Sequence, residues 1–156
     1  MYKYLPLFLL SFSLFASEHI GDKVSFDFSF HDKSGFGTAE VMNYNKGYEI
    51  DNEFNHDDDK LIKKTKSKII WSHKLAEFFL KYCTELRGVE DAMSIDGNTY
   101  DTCKFSSNSI VVKLFFNHFA QASGDLWIGD FPVYGVAKFE AMGNSLEVTS
   151  FDWNKD

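Results

Sequence analysis

The sequence predicts an α+β fold, a curved antiparallel sheet of about eight strands with one main helix packed on it. Three observations lead there. Apolar and polar residues alternate over many short stretches, which is the period of a half-buried strand. Residues 72–86 alone have clear helical spacing. The connections are mostly short, which makes antiparallel neighbours the economical arrangement, and a helix docked on the sheet buries one of its faces.

The chain opens with MYKYLPLFLLSFSLFAS (1–17): one cation at Lys3, an apolar run over 5–15, then the small residues Ala16 and Ser17. A membrane-crossing helix needs about 20 apolar residues. This run is shorter and is followed at once by Glu18, His19 and Asp22. It reads as a secretory signal peptide, which leaves 18–156 as a single exported domain, periplasmic or secreted from a bacterium. No later stretch is apolar over a bilayer's thickness, so an integral membrane protein is not expected.

The elements then follow in order. Val24, Phe26, Phe28 and Phe30 alternate with Ser25, Asp27 and Ser29, and 35–44 continues after a turn at 32–34. A hairpin loop at 45–47 leads into Tyr48, Ile50, Asn52 and Phe54. In the predicted helix, Leu75, Phe79, Cys83 and Leu86 share a stripe flanked by Ala76 and Leu80, with Ser72 as the N-cap and Gly88 as the stop. Strands over 89–95 and 99–105 flank the turn Asp96-Gly97-Asn98. Residues 110–119 read as the most apolar strand, and 133–142 and 146–153 as a last pair around Gly143-Asn144.

The chain has 156 residues, a net charge of −7 and 17 Phe but only 2 Pro and 2 Cys. Such a chain buries a real core, so neither disorder nor a disulfide-dense miniprotein fits. Cleavage of the leader removes one lysine and no acid, taking the charge to −8, and removes Phe8, Phe12 and Phe15. An acidic chain lacks the concentrated basic surface that phosphate neutralisation needs, so nucleic acid is not an expected partner.

Few motifs carry chemistry. In an oxidising compartment Cys83 and Cys103 are expected to form a disulfide, one sulfur from the inner helix stripe and one from a strand face shared with Phe105. Lys64, Lys66 and Lys68 alternate with Thr65 and Ser67, which puts three cations on one strand face. That spacing fits an edge strand guarded by lysine, and it also fits a contact patch for an anionic partner such as lipid headgroups or an acidic protein. His56-Asp57-Asp58-Asp59 lacks the glycine and distal Glu of a Ca²⁺ loop and reads as a solvated turn. His73 and Glu77 lack a third ligand, so no metal is predicted. No nucleophile elbow, phosphate loop or His-Glu-x-x-His helix occurs, and His118 beside Asn117 reads as a satisfied strand histidine. The expectation is a non-enzyme without cofactor.

Two stretches carry a resemblance. Cys83, Gly88 and Glu90 lead into Ile95-Asp96-Gly97-Asn98-Thr99-Tyr100-Asp101-Thr102-Cys103, and Trp127 leads through Pro132-Val133-Tyr134-Gly135-Val136-Ala137-Lys138 and Glu140 to Leu146-Glu147-Val148. Together they span 83–153 and resemble segments of exported bacterial proteins whose architecture is similar to the periplasmic lipoprotein-carrier half-barrels. The resemblance implies a half-barrel sheet able to hold acyl chains, and it brings no catalytic residue.

The resulting expectation is a protein that binds a lipid or another apolar small molecule in the concave face of its sheet. Phe115, Phe119, Trp127, Phe131 and Tyr134 are the candidate lining, with Trp127, Phe131, Pro132 and Tyr134 in a loop entering a strand and lysines at the opening for an anionic headgroup. The alternative is a periplasmic protein-binding factor, an inhibitor or immunity-type protein using its acidic surface on a basic protein partner.

Overall fold

Among the residues described by the computed structural model (20–31, 33–44, 47–58, 60–69, 73–113 and 124–154), nine strands join in one antiparallel sheet. They are β1 (Lys23–Phe30), β2 (Lys33–Tyr44), β3 (Tyr48–His56), β4 (Leu61–Ile69), β5 (Val89–Ile95), β6 (Asn98–Phe105), β7 (Asp125–Ile128), β8 (Val136–Ala141) and β9 (Asn144–Asp152). Helix α1 (His73–Lys81) connects β4 to β5. The strand order is β4-β3-β2-β1-β9-β8-β7-β6-β5. Two meanders therefore stand side by side where the first strand pairs with the last, Phe26 opposite Val148 and Phe28 opposite Leu146.

The sheet is open, with β4 and β5 as its edges, and it curls. β5 approaches β9 although they lie four places apart in the order. A flat sheet would hold them about 19 Å apart, at about 4.8 Å per strand. Tight hairpins support the curl: Asp96-Gly97 (φ 49° and 76°) and Met142-Gly143 (φ 50° and 80°) are two-residue loops with both residues left-handed, the geometry that matches strand twist.

Three expectations change. The strand count becomes nine because two strands join the expected set, Leu61–Ile69 beside β3 and Asp125–Ile128, read as part of an aromatic loop, between β6 and β8, while 110–119 does not begin as a strand. The last pair begins at Val136 rather than at Val133. Residues 110–119, read as a strand, begin as a helical turn over 110–113, in which Ser109 Oγ accepts the Val112 N–H at 3.1 Å. Ile110-Val111-Val112 fits either period, and the serine cap decides. Phe115, His118 and Phe119 lie outside the described residues, as do residues 1–17, expected to be a leader, and Ser72.

The helix ends earlier than its apolar stripe. After Lys81 the chain turns through 82–87, and Gly88 N–H donates to the Cys83 carbonyl at 2.7 Å while Arg87 N–H donates to that of Thr84 at 3.0 Å. This pair of bonds is a Schellman motif, with Arg87 at φ 64° in the left-handed place usually taken by glycine. Gly88 answers a different need. A Cβ on it would stand 2.3 Å from Cys103 Sγ and 2.8 Å from the Phe105 ring. Cys83 and Cys103 form a disulfide with Cα atoms 5.7 Å apart, joining the turn after α1 to β6.

The core has three parts. Leu75, Ala76 and Phe79 of α1 pack on Phe105, Leu126, Ile128 and Val136. The inner face of β1–β3 gathers Val24, Phe26, Phe28, Ala39, Val41, Tyr48 and Ile50 around Val133. Ile95, Trp127, Phe131, Ala137 and Val148 form the third. Each fully buried side chain of this size contributes about 1.5–3 kcal/mol, which makes the first two clusters the main source of stability.

Candidate functional site

A cavity of ≈ 280 Å³ opens beside the second cluster. Its walls come from four strands and one turn: Val24 and Phe26 of β1, Phe54 of β3, Val136 and Phe139 of β8, Leu146 and Val148 of β9, and Pro132 of the β7–β8 connection. Period-two alternation puts Val24 with Phe26 and Leu146 with Val148 on one face, and the register shift between Trp127 and Ile128 in the β7–β8 pairing lets Val136 and Phe139, three residues apart, both line the cavity. Glycine makes the room. Gly37 of β2 pairs with Phe26 on one side and Phe54 on the other, and a Cβ there would stand 2.5 Å from the Phe26 ring. Without that Cβ the two rings meet edge to face over the gap, centroids 5.6 Å apart.

Two polar residues, Asn52 and Tyr134, also line the cavity. Tyr134 Oη donates to Asn52 Oδ1 at 2.7 Å, and Asn52 Nδ2 donates to Ser67 Oγ at 3.0 Å. The Ser67 and Tyr134 hydroxyls are 2.8 Å apart. With the phenol proton committed to Asn52, Ser67 is the donor of that last bond, and the three groups form a closed ring in which each donates to the next. Burial pushes the Tyr134 phenol above its ordinary value of 10.0, with the bonds from Ser67 and Asn52 pulling the other way, so the ring keeps its protons at neutral pH.

The turn that delivers Tyr134 is strained. Val133 has φ 68°, and Tyr134 N–H donates to the Pro132 carbonyl at 2.9 Å, which makes a γ-turn of the rare positive-φ kind. A β-branched residue in this region costs on the order of 1–3 kcal/mol and persists only where its surroundings demand it. They do: Val133 is fully buried against β1–β3, and a Cβ on Gly135 would stand 2.4 Å from Ala76 of α1. The helix thus packs on the turn, and the turn divides the inner face into a helix-covered half and a half that retains the cavity.

Of the residues singled out in the sequence, Tyr134 lines the cavity. Trp127 and Phe131 belong to the third cluster and are not among the lining residues, because β7 turns Trp127 to the other face. There Trp127 Nε1 donates to Asp91 Oδ2 at 2.9 Å, with Lys104 and Lys138 Nζ 4.6 and 5.2 Å from its ring. Phe115 and Phe119 fall outside the described residues. Lys64 and Lys66 lie on edge strand β4, on the face opposite Ser67. Lys64 Nζ is 3.0 Å from Glu53 Oε2 and Lys66 Nζ is 3.6 Å from Asp51 Oδ1, so acids of β3 answer both cations. Lys68 pairs in register with Glu49.

Asn52 and Ser67 were missed. The signal for Asn52 was present: it takes an inner place in the alternation Tyr48, Ile50, Asn52, Phe54, where a polar side chain calls for a partner. That Ser67 and Tyr134 supply the partner depends on the sheet's curl. Among the described residues, no three His, Cys, Asp or Glu side chains are grouped to hold a metal ion, and no helix is long and apolar enough to cross a membrane. Comparison with known proteins returns no matching family model, curated protein or solved structure.

Proposed function

We propose that this protein is a non-enzymatic binder of a single apolar chain or small ring system, held in the cavity between β1, β3, β8, β9 and the Pro132–Tyr134 turn. The cavity is the observation that carries the reading. It is walled by aliphatic and aromatic side chains with a small polar group at one place, the composition expected of a ligand site. Size limits the occupant. An apolar cavity of about 150 Å³ accommodates benzene, so ≈ 280 Å³ has room for about eleven carbon atoms at the same density.

The Cys83–Cys103 bridge and the leader-like residues 1–17 support work in an oxidising compartment outside the cytoplasm. The resemblance of 83–153 to exported proteins of half-barrel type agrees with this reading.

Native mass spectrometry of protein purified without detergent tests it. A co-purifying small apolar molecule, or uptake of added n-butylbenzene, is the expected result. Leu146→Trp, which fills the cavity, should abolish uptake while the protein stays folded. A protein that takes up no apolar probe, or one whose uptake survives Leu146→Trp, overturns the proposal.

A further inference from the structure

We infer that the ligand's polar end is uncharged, a hydroxyl or carbonyl received by the Asn52–Tyr134–Ser67 ring; the inference rests on the cavity reading above. Among the described residues, those lining the cavity include no charged side chain. Burying a carboxylate there would leave it without an opposite charge, which is far costlier than burying a hydroxyl that finds a hydrogen bond. The ring offers such bonds. It uses one of the two Nδ2 hydrogens of Asn52, so the second can donate to a ligand oxygen.

The lysines of β4 do not change this. Lys64 and Lys66 stand on the opposite face beside Glu53 and Asp51. Lys63, opposite Phe54 in register, is exposed and is not among the lining residues. The headgroup chemistry is therefore that of a fatty alcohol, ketone or similar neutral chain rather than of a fatty acid or a phosphorylated lipid.

Four probes of matched length test this by NMR titration of the purified protein at pH 7.5, following the Asn52 side-chain amide and the methyl groups of Val24, Val136 and Val148. n-Butylbenzene reports the cavity alone, decan-1-ol and decan-2-one add a neutral polar end, and decanoate adds a charge. The expected result is that butylbenzene binds, that the alcohol and the ketone bind at least tenfold more tightly than decanoate, and that both shift the Asn52 amide. Asn52→Leu should lower the alcohol-to-butylbenzene affinity ratio by about tenfold, and Tyr134→Phe, which keeps the ring volume, should lower it in the same direction. Should Asn52→Leu fail to fold, Tyr134→Phe carries the test. Decanoate binding as well as decanol, or decanoate binding that Lys63→Gln removes, overturns the neutral-headgroup inference and leaves the cavity reading standing. An unchanged ratio in the variants likewise overturns the role of the ring. Failure of all four probes removes the cavity reading itself.

Discussion

Tyr134 and Asn52, 82 residues apart in sequence, share a 2.7 Å hydrogen bond that fastens the β7–β8 turn to the third strand. The bond holds a strained turn in place, and it puts a polar ring beside an apolar cavity. Tyr134→Phe removes the hydroxyl and leaves the buried Asn52 Oδ1 without that donor. We expect a loss of about 1–3 kcal/mol, read from urea unfolding, the range for leaving a buried partner unsatisfied. A loss below about 0.5 kcal/mol would mean that water replaces the phenol freely and that the turn does not depend on this bond.

The end of the helix offers an opposed pair of substitutions. Arg87 occupies a left-handed position that costs an L-residue roughly 1 kcal/mol relative to glycine. Arg87→Gly should therefore leave stability unchanged or raise it by up to about 1 kcal/mol. Gly88→Ala should do the reverse, because the new Cβ meets Cys103 Sγ and the Phe105 ring, and overpacking of this kind costs about 1–3 kcal/mol. Thermal unfolding of the two variants beside the parent checks the sign of each.

Thr102 is 1% exposed and its hydroxyl has no hydrogen-bond partner among the described residues. Thr102→Val keeps the shape and removes the unpaired polar group. A gain of about 1 kcal/mol in unfolding free energy is expected, since desolvation of the lone hydroxyl is no longer required. A destabilised variant would show that the hydroxyl has a partner after all.

Acid should loosen the third cluster at one identifiable place. The Trp127 indole N–H, the largest influence, and then the Ala92 amide hold the Asp91 carboxyl below its ordinary 3.8. The folded pKa is depressed, so the contribution is complete above the unfolded value and is lost as pH falls through the lower folded one. The Trp127 Nε1–H resonance should titrate with a midpoint below 3.8 and stay flat between pH 5 and 8. In Asp91→Asn that titration should disappear. A midpoint at or above 3.8 would show that the bond does not persist in solution.

Some of this could be read from the chain alone, and the residues show why. Val24, Phe26 and Phe28 declare a strand because a two-residue period is local, and Leu75, Ala76 and Phe79 declare a helix because its spacing is local too. The hairpin at Asp96-Gly97 was legible because positive φ selects residue types at once. The cysteine pairing was legible because only two cysteines exist. Ile110-Val111-Val112 was misread because three apolar residues fit either period, and only the hydroxyl of Ser109 separates them.

The site was decided at another level. Sequence alone determined that the inner face would be apolar and that Asn52 would interrupt it. Which residues meet Asn52, where the cavity lies, and that Trp127 faces away from it while Tyr134 faces into it follow from the join of β1 to β9 and the curl that brings distant strands together. Alternation assigns a side chain to a face through bonds a few ångströms long. Closing a hydrogen-bonded ring from residues 52, 67 and 134 needs the whole sheet to be assembled, and no local pattern in the chain encodes that distance.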